Sequence, residues 1–476
     1  MLFSSPLFLF LFAPIFFTIY FLTIKKHRNL VILLGSLFFY AWGGPSFVGI
    51  LLLSLLVDWH IVNLMKNSKD GRIKKFYFII ALLINLLLLI YFKYVNFFIS
   101  NMNDILNLIH IQEITWPNVI LPIGISFIVF HKISYIIEIY RGEKEPTEKL
   151  SDYIIYIMLF PMAIAGPIIK YKDISDQLTN RESSFDDILY GVLRFSIGLF
   201  KKVWIADNVA IVANEVFSVP TNEINIVFSW IGVICYSLQI YYDFSGYADM
   251  AIGLSRIMGF KVSENFNSPY ISQNITEFWR RWHISLSSWM KNYIYIPLGG
   301  NRKSKVRNYF NLWSVFLISG LWHGASWTFI VWGILHGLFI VFDKLFWLKV
   351  SLKIPKWINI LITYVLVLVA WVFFRSSTIE SALQYLKKMF DFSTIYQEVP
   401  NSLKSLEFSN VIFFIIIFSI IITFLPSFVQ YKTGLIKYNH IFGSTFIKMI
   451  CILVILLLSI TKCVTSSFSP FIYFQF

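Results

Sequence analysis

The run Ser319-Gly320-Leu321-Trp322-His323-Gly324-Ala325-Ser326-Trp327 sets one histidine, His323, inside a long apolar stretch. An ionisable side chain is expensive to keep in such surroundings, so it faces a cavity or serves a function. A neutral imidazole there can take a proton from a hydroxyl while that oxygen attacks a thioester, given a pKa near the working pH. The other reading is a core histidine bonded to a neighbouring helix. Gly320 and Gly324 stand at small-xxx-small spacing, which permits close helix approach or a local break. Trp322 and Trp327 are placed to wall a pocket.

A second histidine, His336, follows 13 residues later in Trp332-Gly333-Ile334-Leu335-His336-Gly337. On one continuous helix the two rings would lie roughly 20 Å apart. They would then share no substrate atom, unless the chain breaks at Gly324. His336 is therefore second in rank, as a structural or positioning group. Of the other six, His131 and His283 are the more interesting, whereas His27, His60, His110 and His440 fall at span ends or in loops. No histidine pair at i, i+4 with a nearby carboxylate occurs, so no metal site is expected. The three cysteines, Cys235, Cys451 and Cys463, form no CxxC pair and read as small buried hydrophobes.

Charged candidates come next. Residues 277–300 mix tryptophan with cations. Arg280, Arg281 and Lys291 can hold the phosphates of coenzyme A or of a carrier's phosphopantetheine arm. Alternatively they anchor a helix at the inner interface, with Glu277 and Arg281 paired at i, i+4. Asp243 and Asp249 lie within another apolar run. They can orient other groups, or Asp249 can pair with Arg256 two turns on.

The elements that must carry these residues span a membrane. The chain has 476 residues, 57% hydrophobic and only 14% charged, where a soluble domain carries roughly 25% charged residues. Apolar runs near the length of a bilayer core fall at 5–24, 29–42, 46–65, 76–98, 117–139, 151–169, 224–257, 309–347 (two helices), 356–374, 408–430 and 442–462. The net charge of +14 sits in short loops between them, so it marks the cytoplasmic side rather than a nucleic-acid partner. The basic loops 25–28, 66–75 and 141–144 then lie inside. Gly43-Gly44-Pro45 and residues 99–116 lie outside, together with the N-terminus. The first span has its basic cluster after it and no A-x-A site, so it does not read as a cleaved signal. Residues 172–187, 261–308 and 376–406 are too polar to cross. Ser184-Phe185-Asp186-Asp187 opens a helix. Ala382, Tyr385, Leu386, Met389 and Phe390 make an apolar stripe for a helix on the membrane surface. No internal repeat is visible, which counts against a transporter built from two related halves.

Several stretches together resemble the membrane-bound O-acyltransferase family, in its branch of alginate O-acetyltransferase membrane subunits. They are Phe3-Ser4-Ser5, Pro122 through Phe127, Ala165-Gly166-Pro167-Ile168, Tyr242 through Tyr247, Glu277 through Arg302, Leu321 through Trp327, Trp371 through Arg375, and Ser469 through Phe476. The chain departs from the branch's usual pattern at His131 and Glu138, where Gln and Asp are more common. The resemblance implies an all-α polytopic fold of about 11 or more transmembrane helices around a central tunnel, with re-entrant and interfacial helices. It implies one domain over 1–476, with a catalytic core near 117–347 and C-terminal helices over 356–476. His323 matches the family histidine, as general base. His336 supports it, and Trp322, Trp327, Asp243, Tyr247, Asp249 and His283 line the substrate path. No cofactor is implied. The donor is acetyl-CoA or an acyl-carrier thioester on the cytoplasmic side of a bacterial inner membrane. The acceptor is an extracytoplasmic polysaccharide or peptidoglycan, reached with an outer partner of the SGNH-hydrolase type. Two rivals stay open: a relay that feeds a separate outer transferase, and a teichoic-acid D-alanyl transferase.

Overall fold

The computed structural model describes residues 1–398, 410–425, 445–465 and 471–472. His440, most of the closing run from Ser469, and parts of the last two expected spans lie outside the described residues. Among the described residues the chain is helical and has no strand. That is what lipid demands, because a helix satisfies its backbone hydrogen bonds internally. Among the described residues six helices are long and apolar enough to cross a bilayer: Pro45–Asn67, Gly71–Leu108, Ile226–Ile257, Trp327–Lys353, Lys356–Arg375 and Thr445–Thr465. Phe8–Leu22 and Asn410–Phe424 are shorter and equally apolar.

The chain divides into two compact units. The first comprises Met1–Gly191 with Ala251–Ser263. Its central helix, Ile125–Tyr140, is buried on every side, as an evenly apolar helix should be. A fully buried ion pair, Lys132 Nζ to Asp58 at 2.9 Å, sits on it. Asn85 donates to the same carboxylate at 2.9 Å, so the buried charge is matched. His131 and Glu138 are structural on this helix: they accept the backbone N–H groups of Ile169 and Lys172 at 3.0 and 2.7 Å. The expected span 151–169 is not one helix. Leu150–Met158 is nine residues long, and buried irregular chain follows. Pro161, Gly166 and Pro167 stop it, and protein rather than lipid surrounds the freed backbone. Arg256 pairs with Asp187 at 2.7 Å, not with Asp249.

The second unit comprises Val192–Met250 and Glu264–Phe476. The expected double span at 309–347 is a hairpin of Lys305–His323 and Trp327–Phe342, broken at an extended Gly324. Its two arms touch backbone to backbone. A Cβ on Gly333 would come within 2.5 Å of the Phe316 carbonyl oxygen, and one on Gly320 would strike the Phe329 carbonyl. We expect Gly333→Leu to splay the hairpin. Overpacking of this kind costs about 1–3 kcal/mol or more, so the thermal midpoint in detergent should fall by several degrees. The helix Ile379–Met389 begins at a capping box on Thr378 and Ser381. Tyr385 stacks on Phe217, its ring centroid 4.4 Å away, and donates to the Ser229 carbonyl at 2.8 Å. Protein, not a membrane surface, therefore covers that end of the expected stripe.

Candidate active site

The hairpin turn puts His323 at the last position of its first arm. The break at Gly324 decides the geometry. It reverses the chain so that His323 and His336 both pack against one indole, that of Trp332. The Trp332 ring centroid is 4.9 Å from that of His323 and 4.7 Å from that of His336. Trp322, at 5.0 Å, and Phe374, at 5.3 Å, complete the aromatic box around His323. The imidazole is only 6% exposed. Trp327 begins the second arm and is 53% exposed; the wall expected from it is supplied by Trp332 and Phe374.

Hydrogen bonds fix the tautomers of two further histidines. The Trp279 indole N–H donates to His336 Nδ1 at 3.2 Å. Indole nitrogen can only donate, so the proton of neutral His336 is on Nε2, which has no hydrogen-bond partner among the described residues. His283 takes the opposite form. Its Nδ1 lies 3.2 Å from Asn265 Oδ1. That oxygen also accepts the Ser285 backbone N–H at 3.1 Å and the Ser285 hydroxyl at 2.9 Å, so it is the acceptor. His283 Nδ1 therefore carries the proton, and Nε2 is a lone-pair nitrogen with no partner among the described residues. Burial pushes the His283 pKa down to about 3, which keeps the ring neutral across the physiological range. His283 holds left-handed backbone angles, φ 42° and ψ 54°, and its ring lies 6.1 Å from Trp322. The three imidazoles are thus linked through Trp322 and Trp332.

A cavity of about 450 Å³ opens beside this cluster. Trp279, Phe316 and Ser319 line it towards the histidines, and Leu286, Met290 and Val315 make much of the wall. Three cations line it as well: Arg280, Lys291 and Lys344. Apolar wall and cations together suit a ligand with an oily or slender arm and a multiply charged end. Of the expected donor cations, Arg281 is not among the lining residues. It bonds Glu277 at 2.9 Å and the Asn267 carbonyl at 3.1 Å, as its i, i+4 spacing allowed. Lys344 was missed because it follows an unbroken apolar run and looks like a span end. The neighbouring signal was Asp343, an acid at the same helix end. It accepts the Thr276 N–H at 2.7 Å and hydroxyl at 2.8 Å, tying that helix to the cation-bearing segment.

The remaining candidates gather elsewhere. Asp243 bonds Lys202 at 2.8 Å and accepts the Ile472 backbone N–H at 2.7 Å. Phe471 packs on Tyr247 with centroids 4.8 Å apart. Asp243 and Tyr247 therefore hold Ile472 and Phe471. Asp249 is consumed by Arg194, at 2.7 Å, and Lys201, at 2.6 Å; Arg194 also grips Glu264 at 2.9 Å. Gly246 in the same motif serves packing, since a Cβ there would lie 2.7 Å from the Gly198 carbonyl oxygen. Among the described residues, no three of His, Cys, Asp and Glu gather closely enough to hold a metal ion.

Comparison with known proteins follows the same lines. The profile of the membrane-bound O-acyltransferase family matches residues 147–383, a stretch that contains the imidazole cluster and the cavity. A probable alginate O-acetylase, AlgI, of Pseudomonas aeruginosa is 42% identical over 398 residues, covering 83% of this chain and 76% of the relative. The probable AlgI of Azotobacter vinelandii is 36% identical, with full coverage of both chains. The peptidoglycan O-acetyltransferase of Helicobacter pylori is 38% identical over 424 residues, 82% of this chain and 80% of the relative. The chain is thus a multi-pass membrane O-acyltransferase, and it belongs to the membrane-bound O-acyltransferase family.

Proposed function

We propose that this protein transfers acetyl groups from a cytoplasmic thioester to hydroxyls of an extracytoplasmic polysaccharide or peptidoglycan. It does so in a bacterial inner membrane, with its N-terminus outside and an SGNH-hydrolase-type partner on the outer side. The observation that carries this reading is the cavity. Its cations lie at Arg280, Lys291 and Lys344, and its inner wall includes Trp279, the residue bonded to His336. Coenzyme A, or the arm of an acyl carrier, has phosphates at one end and a thioester at the other. The cations match the first, and the aromatic cluster receives the second.

In this reading His323 removes the proton of the acceptor hydroxyl as its oxygen attacks the thioester carbon. A C–O bond forms, the C–S bond breaks, and the proton passes from the imidazole to the departing thiolate. His336, held by Trp279 with its proton on Nε2, is a positioning group and a donor towards developing negative charge. His283 supports Trp322 and presents the lone pair of its Nε2. The acceptor comes from outside by virtue of the charge pattern: loops 25–28, 66–75 and 141–144 carry the basic residues and stay inside.

The test is turnover. Purified protein in detergent, given acetyl-CoA labelled in the acetyl group and the outer partner or a sugar-alcohol acceptor, should form a labelled ester and release the free thiol. Movement of the labelled group across a proteoliposome membrane with no ester formed would instead mark a relay. Transfer from a D-alanyl carrier thioester alone would mark a teichoic-acid enzyme.

A further inference from the structure

The first unit holds a second cavity, of about 840 Å³, that the transfer reaction does not use. Five cations line it: Lys25, Lys26, Arg28, Lys149 and Arg181. Only two carboxylates, Asp152 and Glu182, face them. The ion pairing is incomplete. Glu182 is taken by Lys25 at 2.8 Å. Asp152 accepts Asn29 at 3.3 Å. Arg28 bonds the Thr23 carbonyl and lies over the Tyr20 ring, 4.9 Å from its centroid. Arg181 bonds the carbonyls of Met258, Gln177 and Leu178 and stacks on Phe260. These contacts hold the two guanidiniums in place without neutralising them. Burial chiefly, helped by the Arg28 charge, holds the Arg181 pKa below its ordinary value against the opposing pull of Tyr20 and Asp152. Lys26 and Lys149 are exposed and make no ion pair among the described residues.

Four cations that form no ion pair among the described residues, opposed only by Asp152 and converging from three separate stretches of chain, are a receptor for phosphate. The neighbouring surface says which phosphate. Leu22 is 81% exposed and Ile24 is 66% exposed, immediately beside the cations in sequence and at the end of an apolar helix. Acyl chains can lie along those side chains while the headgroup enters the cavity.

We infer that this cavity binds the headgroup of an anionic phospholipid of the cytoplasmic leaflet, with Lys26, Arg28, Lys149 and Arg181 around the phosphate. The leaflet assignment rests on the proposed orientation; the binding itself does not. Basic pockets at the cytoplasmic end of transmembrane helices are suited to such headgroups.

The experiment uses the full chain purified in detergent. Native mass spectrometry would follow its titration with phosphatidylglycerol, with phosphatidylcholine of the same chains, with inorganic phosphate and with coenzyme A. Each juxtamembrane cation contributes roughly a factor of five to binding an anionic lipid. Lys26→Gln with Lys149→Gln should therefore weaken phosphatidylglycerol binding about 30-fold. A control pair in another basic loop, Lys69→Gln with Lys75→Gln, should leave it within about twofold of the parent. Equal binding of the two lipids, an equal loss in the control pair, or undiminished binding in the first pair would overturn the proposal. Saturation by inorganic phosphate or coenzyme A, with no further gain from lipid, would assign the cavity to a soluble phosphate and overturn the lipid source. None of these readings involves turnover, so they stand apart from the transfer reaction. Orientation is read separately, by whether a thiol at Lys26→Cys reacts from inside or outside intact cells.

Discussion

Replacing His323 with alanine should abolish surface acetylation while leaving the protein in the membrane at its normal level. The expected loss follows from the role. A positioned general base contributes about 10²–10⁴-fold, so kcat for transfer from acetyl-CoA should fall about 1,000-fold. The affinity for donor should move little, because the imidazole is not among the residues lining the cavity. The alternative, a purely structural histidine in the aromatic box, predicts a different pattern. Truncating a packed ring would then lower the thermal midpoint, and a ring-sized replacement would restore activity. His323→Gln discriminates. It keeps a polar group of similar reach but cannot act as a base near neutral pH, so it should fold as the parent does and remain inactive. An active glutamine variant would remove His323 from the chemistry.

The sequence carried the local parts of this site well. The spacing of Gly320 and Gly324 allowed a close helix approach or a local break, and the chain breaks at Gly324 between two helices over the expected 309–347 stretch. The i, i+4 pair of Glu277 and Arg281 forms at 2.9 Å. What local pattern could not supply was the long-range partner. Asp243 reads as a costly buried acid, but its partners are Lys202 and the N–H of Ile472, the latter 229 residues away. Trp327 is nearer than Trp332 to His323 in sequence, yet reversal of the chain at Gly324 turns Trp332 towards the ring and leaves Trp327 exposed. The span expected at 151–169 failed for a similar reason. Its hydropathy is that of a lipid-crossing helix, but its apolar side chains are buried in protein, and hydropathy does not distinguish the two. Composition reports what a segment avoids, namely water; it does not report what replaces it.

Neutralising the three cavity cations together should separate binding from chemistry. Arg280→Gln, Lys291→Gln and Lys344→Gln remove every lining cation of the 450 Å³ cavity while leaving the aromatic box intact. Charge-assisted hydrogen bonds are worth about 1.5–3 kcal/mol in protected settings. Arg280 and Lys291 are exposed, so solvent screening reduces the figure to about 1 kcal/mol each. The triple variant should then raise KM for acetyl-CoA about 100-fold with kcat within a few-fold of the parent, since these contacts are made equally before and during the chemical step. Single variants should each raise KM about fivefold. Lys344→Gln is the informative one, because Lys344 reads in sequence as a span end with only Asp343 beside it as a signal, and the cavity places it among the lining cations. High salt should mimic the triple variant in the parent and have little further effect in the variant, as screening of exposed phosphate contacts requires. Arg281→Gln serves as the internal control. Its guanidinium is committed to Glu277 and Asn267, so its loss should cost stability rather than KM. A triple variant with unchanged KM but lowered kcat would show that the cations act on the reacting atoms and not on the donor's phosphates, and the donor would have to enter by another route.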